Sequence, residues 1–109
     1  MPKSLSRSGS KKEPEIPDWK FKLYIAGETP RSLVAIANLK RVCELHLSKK
    51  YSIEVVDLRL HPDLAKIDQI VATPSLVRQS PAPIKKIIGD LADEQRLLIG
   101  MDITVSSST

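Results

Sequence analysis

The stretch from Lys20 to Leu58 constrains the fold most, because it carries a strand, a capped helix and a second strand in unbroken order. Lys20-Phe21-Lys22-Leu23-Tyr24-Ile25 alternates polar and apolar residues, the period-two pattern of a strand with one buried face. Gly27 ends it, Thr29 offers a side-chain oxygen as an N-cap, and Pro30 has the fixed φ that suits a first helical position. Ala35, Ile36, Leu39, Val42, Cys43 and His46 then fall on one helical face, with Lys40, Arg41, Glu44 and Ser48 opposite. That spacing predicts a helix of about five turns, and Lys49 and Lys50 suit its negative end. Ser52 to Leu58, with β-branched Ile53, Val55 and Val56, predicts the second strand. Strand, helix and strand make a βαβ unit, whose strands are expected to be parallel and whose crossover is expected to be right-handed. The fold class is therefore α/β.

The second half gives a less decided pattern. His61-Pro62-Asp63 predicts a short helix running to about Ile70, and Ser75 to Arg78 a strand after the Thr73-Pro74 break. Ser80-Pro81-Ala82-Pro83 reads as a turn. Ile84-Lys85-Lys86-Ile87-Ile88 has the composition of a strand, yet positions 84, 87 and 88 also keep helical spacing. Asp90 is the expected cap of a helix from Leu91 to Ile99 that Gly100 ends, although Leu97 to Val105 also has strand propensity. Double readings of this kind also mark sequences balanced between two folds.

The 109 residues suffice for one domain. Residues 1–19 are expected to be a disordered extension, because Leu5 and Ile16 are the only large aliphatics in the first eighteen residues. Residues 20–104 form the domain and 105–109 a frayed end. A core of that size is marginal for a monomer, so self-association is expected. The polar N-terminus, without an apolar run, predicts a cytoplasmic location and no membrane span. A net charge of +4 is spread along the chain, and four aromatics do not interleave with the basic residues, which argues against nucleic-acid binding.

Three separated blocks give the chain a family likeness. Leu23–Ser32 (LYIAGETPRS), Ile67–Val77 (IDQIVATPSLV) and Ile84–Ile103 (IKKIIGDLADEQRLLIGMDI) together resemble the KaiB family of circadian-clock proteins. The resemblance implies a thioredoxin-like related KaiB fold that is metamorphic, exchanging between a ground-state homotetramer and a fold-switched thioredoxin-like monomer. It implies a non-catalytic protein whose switched form binds a KaiC-type hexameric ATPase, with KaiA or a clock-output histidine kinase as further partners. Gly100 and Asp102 match positions that bias the two folds, and Pro74 matches the proline whose preceding bond is cis in the thioredoxin-like state. Arg78, Lys85 and Lys86 match a basic cluster associated with partner binding.

Three departures are visible. The family's tri-proline turn is Pro81-Ala82-Pro83, so Ala82 restores an N–H and a free φ. Val34 stands where clock members often carry an arginine, and TVSSST replaces their acidic tail. These changes imply a divergent member with a shifted fold equilibrium. They also keep open a second reading, a thioredoxin-like adaptor or sensor in a non-clock signalling or stress pathway.

Enzymatic chemistry finds little footing. The loop Gly27-Glu28-Thr29-Pro30-Arg31-Ser32 contains no cysteine, and dithiol exchange needs an attacking and a resolving thiol. Cys43, the only cysteine, falls on the apolar helical face and is expected to be an inert core thiol. His46 and His61 have no ligand-like companions, so no metal and no cofactor is expected. Asp90, Asp93 and Glu94 read as helix-start acids rather than a catalytic pair.

Overall fold

A computed structural model describes residues 18–47 and 50–103. Its elements run β1 (Trp19–Ile25), α1 (Pro30–His46), β2 (Tyr51–Asp57), α2 (Pro62–Ile67), β3 (Ser75–Ser80), β4 (Lys85–Ile88) and α3 (Glu94–Gly100). Most of the expected extension and the expected frayed end lie outside the described residues, as do Ser48 and Lys49. Trp19, placed in the extension by the sequence, instead opens β1.

The strands form one sheet in the order β2-β1-β3-β4. β1 and β2 are parallel, as a βαβ unit requires, with Leu23 opposite Val55. β3 runs antiparallel to both β1 and β4, setting Leu23 against Leu76 and Leu76 against Ile87. Alternation along the central strand divides the core. Phe21, Leu23 and Ile25 pack with Leu76, Ile87, the α1 residues Ala35, Leu39, Val42 and Cys43, and Leu97, Leu98 and Met101 from the α3 end. Tyr24 faces the other way, with Val56 and Val77, and Leu58, Leu64 and Ile70 cover that patch. The Tyr24 hydroxyl donates to the Asp68 carboxylate, fastening the segment after α2 beneath the sheet.

The start of α1 follows its sequence closely. The Ser32 N–H donates to Thr29 Oγ1 at 3.1 Å and the Thr29 N–H donates to Ser32 Oγ at 2.8 Å, a reciprocal capping box with Pro30 in the first turn.

The second half corrects several boundaries. Of Ile84–Ile88, Lys85–Ile88 resolves as a strand, because β3 supplies hydrogen-bonding partners for it, and Ile84 stays outside. α2 ends at Ile67 rather than Ile70. Gln69, at φ 58°, donates its N–H to Lys66 O at 3.3 Å, and Ile70 donates to Ala65 O at 2.8 Å. That pair of bonds is a Schellman motif with glutamine where glycine is usual. The cap of α3 is Asp93, whose carboxylate accepts the Arg96 N–H at 3.1 Å, not Asp90. Leu91 has φ 65° and cannot begin a helix, while Asp90 accepts the Ala92 N–H in the preceding turn. Gly100 is the last residue of α3, not its terminator. Asp102, at φ 56°, takes the left-handed position, with Asp102 N–H on Ile99 O at 3.2 Å and Ile103 N–H on Leu98 O at 2.9 Å.

Candidate functional site

Two regions collect the residues singled out in the sequence: the loop end of the sheet around Gly27–Ser32 and Pro74, and the corner where β3, β4 and the end of α3 meet.

At the loop end, Gly27 has φ 85°, and a Cβ on it would lie 3.0 Å from the Arg59 guanidinium. The positive φ selects glycine, while the guanidinium tip of the exposed Arg59 could move aside for a Cβ. Its N–H donates to Asp57 Oδ1 at 3.1 Å, and Arg59 clasps the same carboxylate through Nε at 3.2 Å and Nη2 at 2.9 Å. The Arg59 side-chain bonds, with its backbone N–H and that of Gly27, hold the Asp57 carboxyl down at about 2. Asp57 thus ties the end of β2 to the turn after β1. Ser32 is buried, and its hydroxyl donates to Gly27 O at 2.8 Å. Beside this turn lies a cavity of about 340 Å³ lined by Ala26, Thr29–Ser32, Thr73 and Pro74. Pro74 is buried, follows a cis peptide bond, and its carbonyl accepts the Gly89 N–H at 2.8 Å. The chain's only thiol is elsewhere. Cys43 is fully buried on α1, and burial pushes it up to about 12.

The corner is organised by Arg78. Its side chain is only 2% exposed. One guanidinium nitrogen donates to Met101 O and another to Pro83 O at 2.8 Å, and the guanidinium carbon lies 5.5 Å from the centre of the Trp19 ring. Nε has no hydrogen-bond partner, and no carboxylate pairs with this arginine among the described residues. Arg78 therefore joins β3 to the proline turn and to the end of α3.

Lys85 sits opposite Arg78 across the strand pair and reaches Asp102 at 3.6 Å. Lys86, one residue on, points to the other face of the sheet and donates from Nζ to Asp68 O at 3.1 Å and Gln69 O at 3.0 Å. The three basic residues thus do not make one exposed cluster in this fold: Arg78 is inside, and Lys85 and Lys86 diverge. Parity was the available signal. Arg78 shares the inward face of β3 with Leu76, two residues before it.

The residues expected to bias the fold fall around the same corner, apart from Pro74. Ala82 is exposed in the turn beside Pro83. Gly100 is packed so closely that a Cβ would lie 2.6 Å from Ile87 Cδ1. Across the helices, Glu94 accepts from Arg41 at 2.9 Å and pairs with His46 Nε2 at 3.3 Å, which lowers its carboxyl below the usual range and fastens α3 to α1. Val34 is exposed on α1. No group of three or more potential metal ligands occurs among the described residues.

A β2-β1-β3-β4 sheet with helices on both faces, and no thiol in its first loop, defines a thioredoxin-like domain without a redox pair. Solved structures agree on the fold. The solution structure of the N-terminal domain of Synechococcus elongatus SasA aligns with a TM-score of 0.64 at 22% identity, over 84% of this chain and 90% of that one. Oxidised mitochondrial thioredoxin 3 from Saccharomyces cerevisiae aligns at 0.63 and 20% identity, over 79% of this chain and 78% of that one. The sequence is more specific. The KaiB domain model matches residues 22–103. The circadian clock oscillator protein KaiB of Synechococcus elongatus is 44% identical over 83 residues, 76% of this chain and 81% of that protein. That of Nostoc punctiforme is 46% identical over 83 residues, 76% of this chain and 80% of that protein. The chain belongs to the KaiB family.

Proposed function

We propose that this chain is a non-catalytic circadian-clock component or regulator that binds a KaiC-type hexameric ATPase in its thioredoxin-like fold and so modulates the ATPase's phosphorylation and output. The observation that carries the reading is a KaiB-family sequence folded with the sheet order β2-β1-β3-β4. The relatives' shared name, circadian clock oscillator protein, supports the clock assignment.

In this proposal the free protein, in the cytoplasm, exchanges between a homotetrameric ground state and the thioredoxin-like form. The ATPase captures the second, and the observed affinity is lowered by the fraction of protein that is competent. Pro74, Ala82, Gly100 and Asp102 set that fraction. Lys85 and Lys86 face the partner, while Arg78 acts from inside by holding the corner that presents them. KaiA, or a clock-output histidine kinase, is recruited to or displaced from the resulting complex.

Variants at Gly100 and Asp102 test the reading, because both residues are placed here as setting the fold and not as touching the ATPase. Fold populations are read by NMR and the onset of binding to a labelled KaiC-type hexamer by fluorescence. Onset rates are expected to track the thioredoxin-like population. Variants that differ in population yet bind identically contradict the mechanism.

A further inference from the structure

α2 has little of its own to hold it on the sheet. It is six residues long, none of its residues is buried, and His61 at its N-terminal end makes no side-chain cap. An isolated helix of that length is unstable in water. Leu64 and Ile70 rest on the patch around Tyr24, and the side-chain hydrogen bonds that tie the segment down fall at its C-terminal end. The Tyr24 hydroxyl, on β1, donates to the Asp68 carboxylate. Lys86, on β4, donates from Nζ to Asp68 O at 3.1 Å and to Gln69 O at 3.0 Å. β3 lies between those two strands, so the pair of ties spans three strands of the sheet.

The charge of Lys86 suits this place. The C-terminal end of a helix carries partial negative charge and orphan carbonyls, and Asp68 adds a carboxylate there. The Lys86 ammonium offsets both, and none of the side-chain ion pairs among the described residues uses it. Burial first, and then the Asp68 bond, push the Tyr24 hydroxyl well above its ordinary value, so it stays a donor. The reach of Lys86 depends on β4. Side chains alternate along a strand, and with Lys85–Ile88 paired to β3, Lys85 turns to Asp102 and Lys86 to the end of α2. Positions 84, 87 and 88 also keep helical spacing, and a helical turn there would break that alternation.

We propose that Lys86 is a positioning residue of the thioredoxin-like form: it latches the end of α2 to β4, so that the two elements are kept or lost together and the population of this form depends on the Lys86 charge. This role, which rests on the fold exchange proposed above, lies inside the fold and is separate from facing the ATPase. Tyr24 supplies the second point of the latch from β1. Lys86 is exposed and α2 buries no residue, so the latch opens without emptying the core.

Amide hydrogen exchange by NMR on the full chain tests the latch, read on the form that shows the Leu76–Ile87 cross-strand contact. Lys86→Met is expected to speed exchange about tenfold at the Asp68 and Ile70 amides, which donate to Leu64 O and Ala65 O. Lys86→Arg is expected to restore most of the protection, since a guanidinium also donates to two acceptors. Lys85→Met, whose side chain lies on the other face, leaves these amides unchanged. Onset of binding to a labelled KaiC-type hexamer is expected to slow in Lys86→Met and in Tyr24→Phe, which loosens the same end from within and alters no surface group. Unchanged exchange in Lys86→Met, or no recovery in Lys86→Arg, overturns the latch with or without an ATPase. Slower onset in Lys86→Met but not in Tyr24→Phe overturns it too, by placing the whole effect of Lys86 at the ATPase surface. A parent protein that binds no KaiC-type hexamer refutes the function proposed above instead, and the exchange measurements still decide the latch.

Discussion

Replacing Arg78 by methionine keeps side-chain length and removes the buried charge. The loss includes two charge-assisted hydrogen bonds, to Met101 O and Pro83 O, at about 1.5–3 kcal/mol each. It also includes the stacking over Trp19, about 1 kcal/mol. Against this stands release of the desolvation cost of a cation with no counter-ion, about several kcal/mol. These contributions nearly cancel, so the fate of the two acceptors decides the sign. Met101 is fully buried, and its carbonyl is left dry at a cost of about 1–3 kcal/mol. Pro83 is exposed, so its carbonyl takes up water. The net expectation for Arg78→Met is destabilisation of this fold by about 2 kcal/mol. Arg78→Lys recovers little, since an ammonium keeps the charge and lacks the planar fork. Urea unfolding followed by circular dichroism and by fluorescence of Trp19, the only tryptophan, measures the change at fixed protein concentration. Hydrogen exchange at the Ile103 amide, which closes the end of α3, is expected to speed up in the same variant. Stability equal to or above that of the parent protein would refute the reasoning, by showing that burying the charge costs more than its bonds return.

Further outcomes follow from other parts of the structure. Gln69→Gly relieves a left-handed residue in an exposed turn and is expected to raise stability by about 0.5–1 kcal/mol in thermal or urea unfolding. No gain would argue against the Schellman geometry at the end of α2. Cys43, with its thiol pushed up to about 12 from 9.0, carries about a thousandfold less thiolate than a free cysteine at neutral pH. Native protein is thus expected to resist a disulfide reagent that reacts at once in urea, and rapid native labelling contradicts the burial. Asp57 has a folded-state value near 2, below the unfolded value, so its stabilising contribution is complete above about pH 4 and is lost as pH falls through about 2. Acid titration of Asp57→Asn should show a shallower loss of stability in that window than the parent protein. An unchanged acid limb would mean that the Arg59 and Gly27 contacts do not hold the carboxylate.

The first half of the fold was legible because its signals are local and agree with one another. Alternation from Lys20 to Ile25, Thr29-Pro30 and the apolar face of α1 each name the same element, and the parallel pairing of β1 with β2 follows from their connection. In the second half the deciding forces are not local. Lys85–Ile88 becomes a strand only because β3 is beside it. Asp90 and Asp93 are equally good caps in sequence. Burying Leu91 at φ 65° excludes the first and leaves the second. Gly100 looked like a terminator, but it is needed for its closeness to Ile87, and Asp102 takes the left-handed turn. At the site, the resemblance singled out Ala82, Gly100 and Asp102, and the fold brings these three to one corner. The burial of Arg78 was missed because arginine in a short strand reads as solvent-facing. The alternation shared with Leu76 placed it inside.

The central claim, that the thioredoxin-like form is captured by a KaiC-type ATPase, is tested most directly by size-exclusion chromatography with light scattering. The protein is run alone, and again after short and long incubation with a KaiC-type hexamer and nucleotide. The account predicts co-elution with the hexamer that grows with incubation time, and a tetramer mass for much of the free protein. Absence of co-elution across KaiC-type paralogues and nucleotide states, at every incubation time, would contradict it.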